Sequence, residues 1–102
     1  MNKIKIPKEF ELFGQTIKVK YDKELIYRQS NSAESHMRFN EIIIQPDTEG
    51  ISMNEDQKAK SFFHELLHQI LDRLGYRELS ENEFLVIAVG NLLHQALKTA
   101  KY

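Results

Sequence analysis

The sequence predicts an α+β domain in which a small antiparallel sheet of three or four strands, drawn from the first half, packs on two helices drawn from the second. Two observations carry that prediction. Apolar residues recur at every second position in stretches before Pro46 and at helical spacing after Ser52, and each helical run opens on a capping signature. With 102 residues the chain has material for one modest core, so residues 1–102 are read as a single domain that must carry any site itself.

The strand half begins with Phe10-Glu11-Leu12 and Thr16-Ile17-Lys18-Val19-Lys20-Tyr21. Ile17, Val19 and Tyr21 fall on one face and Lys18 and Lys20 on the other, as in a half-buried antiparallel strand. Phe13-Gly14-Gln15 joins the two as a hairpin, with Gly14 free to take positive φ. The Ser- and Asn-rich stretch from Gln29 to Ser35 reads as a loop, and His36 to Ile44 reads as one further strand, stopped by Gln45-Pro46-Asp47.

The helix half opens with Asn54 to Leu74, where Ala59, Phe62, Phe63, Leu66, Leu67, Ile70 and Leu74 form one apolar arc. Ser52 with Glu55 reads as its capping box, and Gly75 as a left-handed terminator. A second box, Ser80 with Glu83, opens the helix Glu81 to Lys98. Its run from Phe84 to Val89 is apolar on every face and predicts burial onward through Leu92, Leu93 and Leu97.

Composition removes whole classes of function. Fourteen Lys and Arg against fifteen Asp and Glu leave a net charge of −1, which offers no bulk attraction to nucleic acid or an anionic membrane. There is no cysteine, so thiol nucleophiles and Cys-ligated zinc are excluded and any metal must be held by His, Asp or Glu. No apolar run approaches the roughly 20 residues of a membrane span, and no signal core follows Met1, so a cytoplasmic location is expected.

The chemistry sits at His64-Glu65-Leu66-Leu67-His68. One helical turn separates the two imidazoles on the same face, which lets both meet one zinc ion at about 2.0–2.1 Å. Glu65 projects about 100° round from His64, placed to act on a water as general base. On the wheel the two His lie at the border of the apolar arc, so a metal there would face a cleft. The bland alternative is two surface His that fall four apart by chance, with Glu65 a solvated carboxylate.

A catalytic zinc needs a third protein ligand. Leu71 and Leu74 stand where the extended metzincin motif would place Gly and His, so the ligand must come from outside the helix; Glu78, Glu81, Glu83, His94 and His36 are the candidates. Glu83 shares a helix face with Ile87 and Gly90, and Gly90 permits the close helix approach that would aim Glu83 at the His pair. Against this, Glu83 can be read as merely capping Ser80, with Glu81 as the reserve ligand. His94 lies about 16 Å along the axis from Glu83 and reads as a packing or surface His. His36, Tyr27 and Tyr76 are read first as strand-surface or core-edge residues, with oxyanion contacts as their functional alternative. Asp72 is a candidate to hold the second ring nitrogen of His68, though a surface carboxylate is its simpler reading.

The order of hairpin, strand, loop, a capped helix bearing His64-Glu65-Leu66-Leu67-His68-Gln69-Ile70, then Leu74-Gly75 and a helix opened by Asn82-Glu83, resembles the small zincin-like metallopeptidases of phages and integrative elements. It is similar in plan to the gluzincins of the ImmA/IrrE type, though shorter. The resemblance implies zinc on His64, His68 and Glu83, Glu65 as the base, and an extended protein or peptide substrate added to the strand His36–Ile44 as a sheet edge. The expected activity is therefore zinc-dependent peptide-bond hydrolysis. The rival expectations are a catalytically silent zinc-binding or protein-interaction module on the same fold, and a helical adaptor with no metal.

Overall fold

The computed structural model describes residues 4–29 and 31–102. It is α+β, with a four-stranded sheet in the order β1-β2-β4-β3 and two long helices packed against it from the second half of the chain. Strands β1 (Glu9–Leu12) and β2 (Gln15–Tyr21) form the expected hairpin. Its turn puts Phe13 at φ 51° and Gly14 at φ 75°, the positive pair that two-residue hairpin loops require. A short helix not foreseen in the sequence, α1 (Leu25–Gln29), buries Leu25 and hangs from Gln45, whose buried side chain accepts from Ile26 N and donates to Lys23 O.

Two expectations about the sheet are corrected. It is mixed rather than antiparallel, because β4 (Glu41–Ile44) pairs in parallel with β2, from Lys18 opposite Glu41 to Tyr21 opposite Ile44. Nor is 36–44 one edge strand. A 3-10 turn at Met37–Phe39 and Asn40 at φ 53° break it, folding β3 (Ala33–His36) back antiparallel onto β4. The segment from Gln29 to Ser35, expected as a loop, thus supplies most of β3. The true edge is β3, whose Ala-Glu-Ser-His sequence carries no apolar alternation to betray it, whereas β4 lies inside the sheet.

Ile17, Ile42 and Ile44 are fully buried and meet Phe62 and Phe63 of α2 (Glu55–Arg73), with Phe10, Leu12, Val19 and Leu66 around them. The phenyl ring of Phe62 stands edge-on to Phe10 and Phe63. A buried Gln69 fastens the same helix to the sheet: its Nε2 donates to Glu41 O at 3.0 Å and its Oε1 accepts from Arg73 Nε.

The cap of α2 is Asn54 with Gln57, not Ser52 with Glu55. Asn54 Oδ1 accepts from Gln57 N, and Gln57 Oε1 accepts from Asn54 N. The Thr48–Ile51 bridge and the bond from Met53 N to Asp47 Oδ1 hold the preceding chain in a turn, so the helix starts two residues later than the first box implies. Gly75 does end α2: at φ 81° it lets Tyr76 N reach Leu71 O.

The second box is corrected too. A short helix α3 (Arg77–Glu81) precedes α4 (Glu83–Thr99), which is capped by Asn82 through Leu85 N. This frees both Ser80 and Glu83 from capping. Nor is α4 buried all round; only Val86, Gly90 and His94 are fully covered, all on the side facing α2.

Gly90 sets the distance between the two long helices. A Cβ there would lie 3.4 Å from His64 N and 3.5 Å from His64 Cα, at the near limit of ordinary contact. Gly90→Ala should therefore be tolerated, its better helix propensity raising stability by up to about 1 kcal/mol. Gly90→Leu should drive the helices apart and destabilise by about 1–3 kcal/mol. Urea unfolding of the two variants checks both signs.

Candidate metal centre

The approach at Gly90 brings Glu83, in the first turn of α4, over the two imidazoles of α2. His64 Nε2 and His68 Nε2 lie 3.3 Å apart. Glu83 Oε2 is 3.3 Å from His64 Nε2, and Glu83 Oε1 is 3.2 Å from His68 Nε2. Two ligands at 2.0–2.1 Å from one tetrahedral ion stand about 3.3–3.4 Å apart, the separation of the two imidazole nitrogens, while the Glu83 carboxylate turns one oxygen toward each ring. His64, His68 and Glu83 form a group of potential metal ligands among the described residues. The donor set, two imidazoles and one carboxylate with no thiolate, suits zinc and leaves a tetrahedral ion one position short of a full shell.

The imidazole of His68 is oriented by a residue the sequence reading assigned elsewhere. Ser80, 5% exposed, places Oγ 3.0 Å from His68 Nδ1. With the proton on Nδ1 donated to that hydroxyl, Nε2 keeps its lone pair for a metal. Asp72 lines the same cleft but is not the residue that bonds His68. The signal for Ser80 was hidden by the capping pattern it seemed to complete with Glu83.

Glu65 is not a solvated carboxylate. It is 6% exposed, beneath the cleft mouth, with Oε1 3.9 Å from His64 Nε2. Burial, then the charges of Glu83 and Glu34, push its carboxyl up to about 8. His64 moves the opposite way: burial and the neighbouring His68 lower its pKa, against the pull of Glu83. Its ring therefore stays neutral, and available as a ligand, to lower pH than a free imidazole.

The cleft over these groups has a volume of about 700 Å³. Ala33, Glu34 and Ser35 of β3 form one side and Ile87 and Asn91 of α4 the other, with Lys60 and Ser61 at the end of α2 nearer its start. The hydroxyl of Ser35 is buried there without a hydrogen-bond partner.

The remaining candidates fall outside the cluster. Glu81 and Glu78 are exposed on α3, and Tyr76 is the exposed residue before it. Tyr27 is exposed beside Gly50, and His36 Nε2 pairs with Glu34 Oε1 at 3.1 Å. His94 is a packing residue as expected, edge-on to Phe63 and 3.2 Å from Asp56 Oδ1. Compared with known protein families, curated proteins and solved structures, the chain matches none. Among the described residues no helix is long and apolar enough to cross a membrane.

A pH test follows from Glu65. In metal-free protein, between the ordinary value of 4.5 and about 8, the folded chain holds a proton that the unfolded chain has released. Folding stability should therefore fall as pH rises through that window, by at most about 1.4 kcal/mol per pH unit. Glu65→Gln should remove that slope in urea unfolding with chelator present.

Proposed function

We propose that the chain is a zinc-dependent metallopeptidase in which His64, His68 and Glu83 hold the metal and Glu65 is the general base. The observation that supports it most is the convergence of His64, His68 and Glu83, with the two Nε2 atoms 3.3 Å apart and one Glu83 oxygen within 3.3 Å of each. Bound zinc supplies Lewis acidity toward a peptide carbonyl and makes a water acidic enough to be deprotonated near neutral pH.

The rest is the work of the chain's own side chains. Glu65 takes the proton of the attacking water and delivers it to the leaving amine, so one carboxylate serves as base and then acid. Its raised pKa suits the second step, because a carboxyl that holds protons tightly near neutral pH is slow to lose one to solvent before the amine departs. When Glu83 is committed to a cation, one of the two charges that raise Glu65 is offset, which lowers its pKa toward the value a base needs. Ser80, by accepting from His68 Nδ1, would orient the ring with Nε2 toward the site.

For substrate, the edge strand β3 replaces the segment 36–44. Its residues Ala33 to Ser35 border the cleft, and an edge strand has unpaired backbone groups that accept an extended peptide. The likeness to ImmA/IrrE-type gluzincins rests on the motif, the layout and Glu83.

Two experiments test this reading. In zinc titrations monitored by competition with a chromophoric chelator, wild type should bind about one equivalent. His64→Ala should abolish binding, Glu83→Ala should weaken it by about 10–100-fold or more, and His94→Ala should leave it unchanged. Zinc at 100 times its Kd should raise stability by about 2.7 kcal/mol, reversibly on chelation. Two protons compete with the metal, so affinity should fall steeply in acid. The lowered pKa of His64 carries its share of that fall below the point set by free imidazole.

The second experiment separates catalysis from binding. Glu65→Gln should retain zinc and lose hydrolysis of unstructured protein substrates by at least about 100-fold, the lower bound of a general-base contribution. Equal turnover by wild type and Glu65→Gln would leave a zinc-binding module without this chemistry, and absence of zinc uptake by wild type would leave a helical adaptor.

A further inference from the structure

We propose that Lys60 and Asp72, at opposite ends of the cleft, select its substrate: an extended segment with basic residues on the N-terminal side of the metal position and acidic residues on the C-terminal side. The inference rests on reading the cleft as a peptide site. Lys60, His64, His68 and Asp72 follow one another at intervals of four along α2, and all four line the cleft. Each charge thus stands one turn, about 6 Å along the axis, beyond the nearer imidazole, and the two are of opposite sign. Together they span about 18 Å of helix, the length of about five or six residues of extended chain.

Neither charge is spent inside the fold. Asp72 is half-buried, and among the described residues no hydrogen bond or ion pair holds its carboxylate. Its neighbour Arg73 gives Nε to Gln69 and Nη2 to Asn40. Helix stability does not ask for Asp72 either, since a carboxylate in the last turn of α2 faces the negative end of the helix dipole. Lys60 is exposed and meets the Asp56 carboxylate at 3.7 Å, while Lys98 holds that same carboxylate at 2.8 Å. An exposed pair of that length contributes little, so the Lys60 ammonium is available to a partner in the cleft.

The sheet edge fixes the direction. Ser32, just before β3, has Oγ 3.3 Å from Ser61 Oγ, and His36 at the end of β3 pairs with Glu41, whose carbonyl accepts from Gln69. From Ser61 to Gln69 the helix rises about 12 Å, and from Ser32 to His36 an extended chain advances about 13 Å. Strand β3 therefore runs beside α2 in the same direction, from the Lys60 end of the cleft to the Asp72 end. Antiparallel pairing is the more stable mode of strand addition. A segment added that way enters with its N-terminal part at Asp72 and leaves with its C-terminal part at Lys60. A Lys or Arg then meets the Asp72 carboxylate and an Asp or Glu meets the Lys60 ammonium, whereas the reversed pattern sets like charges together at both ends.

Two end-labelled peptides of about ten residues, with blocked termini and a background of Ala, Ser and Thr, test the proposal. One carries two Lys in its N-terminal half and two Glu in its C-terminal half, and the other has the halves exchanged. Their composition and net charge are equal, so the central carboxylates and any bound zinc act on both alike. Binding is read by fluorescence anisotropy on Glu65→Gln supplied with zinc. The first peptide should bind about tenfold more tightly than the second at low salt, and the advantage should shrink at about 1 M salt. Asp72→Asn and Lys60→Gln should each cut it by about threefold. The double variant Lys60→Asp with Asp72→Lys should invert the preference, a result that a misfolded chain does not give. Equal binding of the two peptides overturns the proposal. So does tighter binding of the second, no binding of either up to about 1 mM, or a double variant that keeps the original preference. Charge preference without hydrolysis by wild type would uphold this inference and remove the peptidase reading, whereas hydrolysis of both peptides with equal kcat/KM would do the reverse.

Discussion

The contact on which the rest depends is that of Gly90 against the backbone of His64. A helix crossing this close leaves room for nothing larger than a methyl group, and α4 offers Gly90 there, nearly two turns after Glu83. From that fixed point Glu83 projects over the imidazoles, although the carboxylate itself is exposed and belongs to a separate helix. Asn82 serves the same end by capping α4, since a capping role for Ser80 would have turned both Ser80 and Glu83 away from the His pair.

Charge organises what geometry has assembled. Three carboxylates, Glu34, Glu65 and Glu83, come near two imidazoles in a half-open cleft. Burial first, and then the charges of Glu83 and Glu34, favour a proton on Glu65, the most buried of the three. A cation brought to Glu83 would offset one of the charges that raise Glu65. The cost of that arrangement is borne by α2, whose other faces are anchored by the Phe62–Phe63 packing and by Gln69 on β4.

Much of this was legible in the sequence, and the failures have physical causes. The motif helix, its glycine stop and the hairpin were readable because period and termination coincide there. The placement of Glu83 beside the His pair was readable through Gly90, a small residue in an apolar helix that favours close approach. Ser80 was not, because Ser-x-x-Glu is also a capping box, and nothing local ranks it below Asn82. The edge strand β3 escaped for the opposite reason: in Ala33-Glu34-Ser35-His36 only the small Ala33 packs against the core, so no apolar alternation marks it. The parallel pairing of β2 with β4 depends on the path through α1, which a local pattern cannot encode. In α4 the all-round apolar run was read as burial, while the fold covers one face only.

The most direct test of the central claim is X-ray absorption at the zinc edge of the reconstituted protein. Bound zinc should show a shell of nitrogen and oxygen at about 2.0–2.1 Å with the outer scattering of two imidazoles, one of them lost in His68→Ala. A zinc shell without imidazole scattering, or one unchanged by that substitution, would contradict it.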